Sequence, residues 1–126
     1  MNDRELLEMA AKAAGIWVDD DNFSDPIDRK YTPNLGLWVH VGDSKDIGHW
    51  WNPLNNGDHA LRLAVKLRLC IDNCVGEDED RTDVSVGNEI GCAGSVIVDE
   101  LRGIDADAAT RRAIVRAAAE IGRAMP

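Results

Sequence analysis

The stretch from Trp50 to Leu67 constrains the fold of this chain more than any other segment. Turn-forming residues follow two adjacent tryptophans, and an apolar helix is predicted over residues 58–67. At about 100° per residue, the apolar side chains of this helix cover well more than half of its circumference. The apolar stripe of a surface helix is usually narrower. We therefore expect this helix to be buried on more than one side, either within the chain or in a subunit interface.

Two further helices are predicted, one on each side of this segment. Asn2 can cap a helix over residues 3–14, whose small and apolar side chains share one face, and Gly15 can end it. Asp105 and Asp107 favour the start of a last helix, because carboxylates are stabilised at the positive end of a helix. The chain thus has three predicted helices.

The remaining segments predict strands and loops. Residues 35–41 alternate with a period of two, which is typical of a strand with one aliphatic face. Residues 69–75, 84–86 and 95–101 predict three more strands with no helix between them, which favours antiparallel pairing. Residues 19–34 are rich in turn-forming side chains and predict a surface loop.

These elements predict an α+β fold of the α/β/α sandwich type. Three helices would cover a mostly antiparallel sheet of about four strands, because each element has one face to bury. A chain of 126 residues is long enough for one hydrophobic core and too short for two. Residues 1–126 are therefore expected to form a single domain.

Charge and cysteine content narrow the classes of partner and compartment. A formal net charge of −9 opposes direct binding to nucleic acid or to an anionic membrane. The sequence contains neither a secretion signal nor an apolar run that approaches about 20 residues, so we expect a cytoplasmic protein without a membrane span. Three cysteines without a paired pattern are expected to be reduced and buried.

Three blocks of the sequence, residues 3–16, 48–69 and 109–125, resemble a group of small bacteriophage and prophage proteins, the phage ABA sandwich domain family. The blocks occur in the same order as in that family and cover roughly half of the chain. The resemblance implies an α/β/α sandwich, a phage or prophage origin and a location in the bacterial host cell. It implies no catalytic motif.

No cofactor, metal site or catalytic residue is predicted. Cys70 and Cys74 lie four residues apart on a predicted strand, about 13 Å along its axis, which is too far for both sulfurs to bind one zinc ion. Cys92 and the three histidines add no ligand spacing. No strand-turn nucleophile pattern or phosphate-binding loop is present, so the sequence favours a protein that is not an enzyme.

The last helix carries a row of arginines. Arg112, Arg116 and Arg123 fall on one side of it and predict a solvated face rather than a site for phosphates. Arg111 projects to the apolar side, where its guanidinium must reach the edge of the core or a partner. We interpret this arginine as architectural.

The candidate binding residues are Trp50, Trp51 and Asn52. Two adjacent tryptophans in an extended segment cannot both point into one core, so we expect one to be buried and the other to be exposed or covered by a partner. The alternative is that both pack under the loop of residues 19–34. Together with the wide apolar arc of the neighbouring helix, they predict a protein-binding module. Its partner would be a host or phage protein, or a second copy in a homodimer.

Two other functions stay open at this point. An acidic protein can imitate nucleic acid and occupy a DNA-binding protein, with residues 19–21 and 77–80 as the phosphate mimics. A small enzyme of unknown reaction is the third hypothesis, because the residue types needed for acid-base chemistry are all present.

Overall fold

The computed structural model describes residues 2–16, 31–40, 48–74, 80–86, 96–101 and 105–126. Within these ranges the elements are α1 (Asp3–Ala14), β1 (Tyr31–Thr32), β2 (Gly36–His40), β3 (Gly48–Trp51), α2 (Gly57–Lys66), β4 (Leu69–Cys74), β5 (Arg81–Val86), β6 (Val96–Leu101) and α3 (Ala106–Ala124). The mixed α+β class and its three helices are confirmed for the described part of the chain. The described strands form two three-stranded antiparallel sheets, β1-β2-β3 and β4-β5-β6, and not the single sheet of about four strands that we expected.

Helix α1 has the bounds that its capping residues predict. The Asn2 side chain accepts a hydrogen bond from the backbone N–H of Glu5 at 2.8 Å, which satisfies one of the free donors at the helix start. Gly15 follows the helix in the left-handed conformation, with φ of 68°. Local sequence therefore determines both ends of this helix.

The first sheet corrects two predictions. Part of the predicted loop, Tyr31–Thr32, is a strand that pairs with β2. The double-tryptophan segment is also a strand, β3, and not a turn-rich lead-in as expected. Gly36 opens β2 with φ of 87°, and a Cβ there would collide with the carbonyl oxygen of Trp51, so glycine permits the close approach of β2 and β3.

The second sheet contains the predicted strands, with longer bounds for β5. In its middle, Val84 of β5 lies opposite Val98 of β6, and both side chains are buried. Cys70 of β4 is disulfide-bonded, so the expectation of three reduced cysteines is wrong. Disulfide formation depends on the geometry of the folded chain, which the spacing of cysteines in a sequence does not show. The cysteines therefore no longer argue for a reducing compartment.

Helix α3 lies between the second sheet and the rest of the molecule. One of its faces packs Ala113 and Ala117 against the valines of the second sheet. Its other face joins the larger core, which includes side chains from α1, α2 and the first sheet. Ala118 and Ala119 are fully buried there, and Val115 is as well. This helix is thus the element that both cores share.

Small side chains allow α1 and α3 to approach each other closely. At Gly122, an added Cβ would collide with the backbone oxygen of Met9 and would lie 3.2 Å from the backbone nitrogen of Ala13. Backbones can come this close only where no side chain separates them. The alanines and the glycine of α3 therefore explain how a helix rich in arginine becomes central.

Candidate functional site

The two tryptophans of β3 lie on opposite faces of the first sheet. Trp51 is opposite Leu37 and points into the larger core, where it is buried. Trp50 is opposite Trp38 on the other face, and both rings are half-buried. Their centroids are 5.3 Å apart at an interplanar angle of 76°, an edge-to-face pair. The expected division between one buried and one more exposed tryptophan agrees with this placement.

Gly48 provides the space that the outer tryptophan pair needs. A Cβ at this position would lie 2.9 Å from two atoms of the Trp38 ring, closer than side chains pack. Trp38 therefore lies across the start of β3 and meets Trp50 from the side. The outer face of the first sheet thus presents a fixed aromatic pair.

Asn52 is buried and organises the turn between β3 and α2. Its side-chain oxygen accepts from the N–H of Leu54 at 3.1 Å, and its amide nitrogen donates to the carbonyl of Asn34 at 3.4 Å. Its own carbonyl accepts from the N–H groups of Asn55 and Asn56. These are the bonds of a tight turn with a side-chain mimic. The polar groups of Asn52 are therefore used within the chain.

His59 is connected to this turn through its ring. The backbone N–H of Asn52 donates to Nδ1 of His59 at 3.0 Å. Burial lowers the pKa of His59 below its ordinary value of 6.5, and neighbouring His49 and Arg62 lower it as well, while Asp58 acts in the opposite direction. Because Nδ1 accepts a hydrogen bond, the ring is neutral with its proton on Nε2.

A cleft of about 350 Å³ opens beside His59, between the end of α1, strand β3 and helix α2. Its apolar lining comes from Ala14, Ile16, Trp51 and Leu63. Its polar lining comes from His49, Asp58, His59, Arg62 and Lys66. The rings of His49 and His59 have centroids 6.0 Å apart. The cleft therefore combines an apolar part with a polar rim of four nitrogen-bearing side chains and one carboxylate among the described residues.

Helix α2 is buried on one side only within the described ranges. Ala60, Leu63 and Ala64 face the larger core. Leu61 and Val65, one turn apart, are 60% and 69% exposed. Burial on more than one side was expected from the wide apolar arc, and within this chain that expectation is wrong for Leu61 and Val65. The other part of the expectation, a subunit or partner interface, stays a prediction.

The arginines of α3 are engaged within the chain. Arg112 pairs with Asp3 at 3.1 Å, Arg116 pairs with Glu100, and Arg123 lies 3.6 Å from Glu120. These partners agree with an ordinary charged face. Nε of Arg111 donates to the carbonyl of Leu54 at 3.0 Å, which ties α3 to the turn before α2 and supports an architectural role for this arginine.

A metal site and a nucleic-acid mimic, both considered from the sequence, can be examined among the described residues. No group of three or more His, Cys, Asp or Glu side chains within the described ranges could hold a metal ion. Cys70 is engaged in its disulfide, which removes a thiolate from any such site. The acidic residues 19–21 and 77–79 lie outside the described residues, and of the proposed mimic only Asp80 is described, as an exposed residue.

The cleft was not predicted from the sequence. A strand predicted over Gly48–Trp51 would have indicated it, since a period of two places His49 on the same face as Trp51. Adjacent aromatic residues favour strands, so the signal was present in the tryptophan pair itself. The bond between Asn52 and His59, seven residues apart, had no such signal.

Comparisons with protein-family models, curated proteins and solved structures give no match to this chain. No helix in the described part of the chain has the length and apolar character needed to cross a membrane.

Proposed function

We propose that this chain is a protein-binding module that docks its partner on the outer face of α2. The observation that carries the proposal is the exposure of Leu61 and Val65, at 60% and 69%, on a helix whose opposite side is buried. They lie four residues apart and form one short apolar stripe along the helix. Apolar anchors of this kind, flanked by polar residues, are typical of helix-mediated recognition.

The charges beside the stripe indicate the chemistry of the partner. Arg62 and Lys66 follow the apolar residues around the helix, and Asp58 already pairs with Arg62 at 3.5 Å. Lys66 has no ion-pair partner among the described residues. The surface therefore suits a segment that places apolar side chains on Leu61 and Val65 and a carboxylate near Lys66.

A different protein suits this surface better than a second copy. In a two-fold dimer centred between Leu61 and Val65, residues near the axis meet their own equivalents. Arg62 would then approach Arg62 of the other copy, and like charges at an interface are unfavourable. We therefore propose a host or phage protein as the partner, and the homodimer becomes an outcome of the test.

Trp50 is the predicted binding residue that the geometry supports as a second contact. It is half-buried on the outer face of the first sheet, beside Trp38. Trp51 belongs to the core, and the polar groups of Asn52 are used in the turn. We propose that Trp51 and Asn52 act on binding indirectly, by placing α2. The phage origin, the bacterial host cell and the layer order of a sandwich are implied by the resemblance and stay predictions.

The proposal is tested with matched surface variants. Wild-type protein, the double variant Leu61→Ser/Val65→Ser and the control Leu35→Ser would be immobilised and exposed to a bacterial lysate. Leu35 is also an exposed leucine, at 48%, but it lies in the turn between β1 and β2. A protein captured by the wild type and the control would be purified, and its dissociation constant for all three forms would be measured.

The double variant should bind about 30-fold more weakly, which corresponds to about 1 kcal/mol for each buried apolar side chain. The control should bind as the wild type does. Equal binding by the double variant would contradict the proposed surface. Light scattering adds the second check: a wild-type dimer that the double variant abolishes would replace the foreign partner with a second copy.

A further inference from the structure

The cleft beside α2 has a donor arrangement that selects its ligand. Nδ1 of His59 accepts the backbone N–H of Asn52 at 3.0 Å, so the neutral ring carries its proton on Nε2. A histidine binds a metal ion through a nitrogen without a proton, and neither nitrogen of this ring is free in that sense. His59 can therefore only donate to a ligand in the cleft.

The other charged groups of the rim reinforce this selection. Arg62 and Lys66 contribute two cations, and the one carboxylate among the described lining residues, Asp58, is paired with Arg62 at 3.5 Å. The described part of the rim is therefore locally positive in a chain whose formal net charge is −9. Hydrogen bonds from cations to carboxylates are stronger than those between neutral groups.

The apolar lining of the cleft determines the chemistry of the rest of the ligand. Trp51, Leu63 and Ile16 contribute apolar surface to the lining. Trp51 is held by the core and by its pairing with Leu37, so this surface is preformed. A volume of about 350 Å³ is within the range of small-molecule sites.

We propose that the cleft binds a small carboxylic acid with a flat apolar body. Lys66, Arg62 and Nε2–H of His59 receive the carboxylate, and the body packs against Trp51 and Leu63. Lys66 belongs to both proposed surfaces, but Leu61 and Val65, which carry the proposed protein contact, are not part of the cleft, so their double variant tests the protein contact without changing the lining of the cleft.

Titrations with defined probes test this site. Benzoate and indole-3-acetate would be added to the full chain, with benzamide, indole-3-acetamide and acetate as matched compounds, and binding would be followed by NMR and calorimetry. The acids should bind at least tenfold more tightly than their amides, which lack the charge, and than acetate, which lacks the body. The site is overturned if neither acid binds with a dissociation constant below about 10 mM, or if the amides bind equally well.

Variants locate the binding. Lys66→Gln should weaken binding of the acids at least fivefold, whereas Lys12→Gln, on α1 with its amine bonded to the carbonyl of Met125, should leave it unchanged. Equal effects of the two variants would show that the acid is attracted by charge alone. The tautomer is a separate readout: nitrogen-detected NMR of His59 should show the proton on Nε2, and a proton on Nδ1 or coordination of added Zn²⁺ by His59 would overturn the donor argument.

Discussion

The sequences of α2 and α3 suggest that α2 is the more buried helix and α3 the more exposed one, but α3 is the more buried of the two. The apolar side chains of α2 spread around most of the helix, yet Leu61 and Val65 are exposed. The arginine-bearing helix α3 is packed on two sides, against the second sheet and against the larger core. Hydrophobicity therefore did not decide which helix became central. The size of the side chains did, because alanine and glycine let neighbours approach from several directions.

The largest expected effect on stability concerns the buried side of α2. Leu63→Ala should lower the free energy of unfolding by about 3 kcal/mol, because it removes buried methyl groups and leaves a cavity in the larger core. Chemical denaturation would measure the loss. A loss below about 1 kcal/mol would mean that α2 contributes little packing even on its inner side.

The next test concerns the close crossing of α1 and α3. Gly122→Ala should lower the free energy of unfolding by about 2 kcal/mol, since the new methyl group meets the backbone of Met9 and the helices must move apart. Gly57→Ala, at the first position of α2 with nothing within 4 Å of an added Cβ, is the control. The control should be neutral or slightly stabilising. Similar losses in both variants would contradict the crossing.

A smaller effect is expected in the pH dependence of folding stability, through His59 of α2. The pKa of His59 is lowered in the folded state, mainly by burial, so the unfolded chain binds a proton more readily. The contribution of neutral His59 is complete above the ordinary value of 6.5 and is lost as the pH falls from there through the lowered pKa. Melting temperatures between pH 7.5 and 5.5 should therefore fall with pH, and His59→Asn should flatten that slope. An unchanged slope in the variant would assign it to other groups.

The smallest effect on stability is expected for the exposed side of α2. Leu61→Ser/Val65→Ser should change the free energy of unfolding by no more than about 0.5 kcal/mol per site, since surface substitutions rarely do more. Denaturation midpoints of the double variant and of wild type would be compared. A loss as large as that of Leu63→Ala would show that another part of the chain covers the outer face.

Local signals in the sequence were sufficient for the ends of the helices and for several strands. Asn2 and Gly15 cap α1 as predicted, and the cap at Asp105, which accepts from the N–H of Ala108 at 3.0 Å, starts α3 at the expected place. Each of these interactions joins residues at most four positions apart. Such contacts depend on few competing arrangements, so pattern and propensity determine them.

The rest depended on contacts between distant segments. The strand over Gly48–Trp51 exists because β2 pairs with it, and turn-forming residues after Trp51 hid this pairing. The cleft around His59 and the central place of α3 both join parts of the chain that are remote in sequence. A single sequence shows which faces can be buried, but not which partner each face meets.

The close contact between α1 and α3 at Gly122 also restricts which substitutions the two helices can accept during evolution. A larger residue at position 122 is tolerated only if α1 shifts away from it, and such a shift would alter the end of α1, where Ala14 lines the cleft. The two helices must therefore vary together. A distant relative of this chain should be recognisable less by its tryptophans than by small residues at the positions that correspond to Gly122 and Ala13.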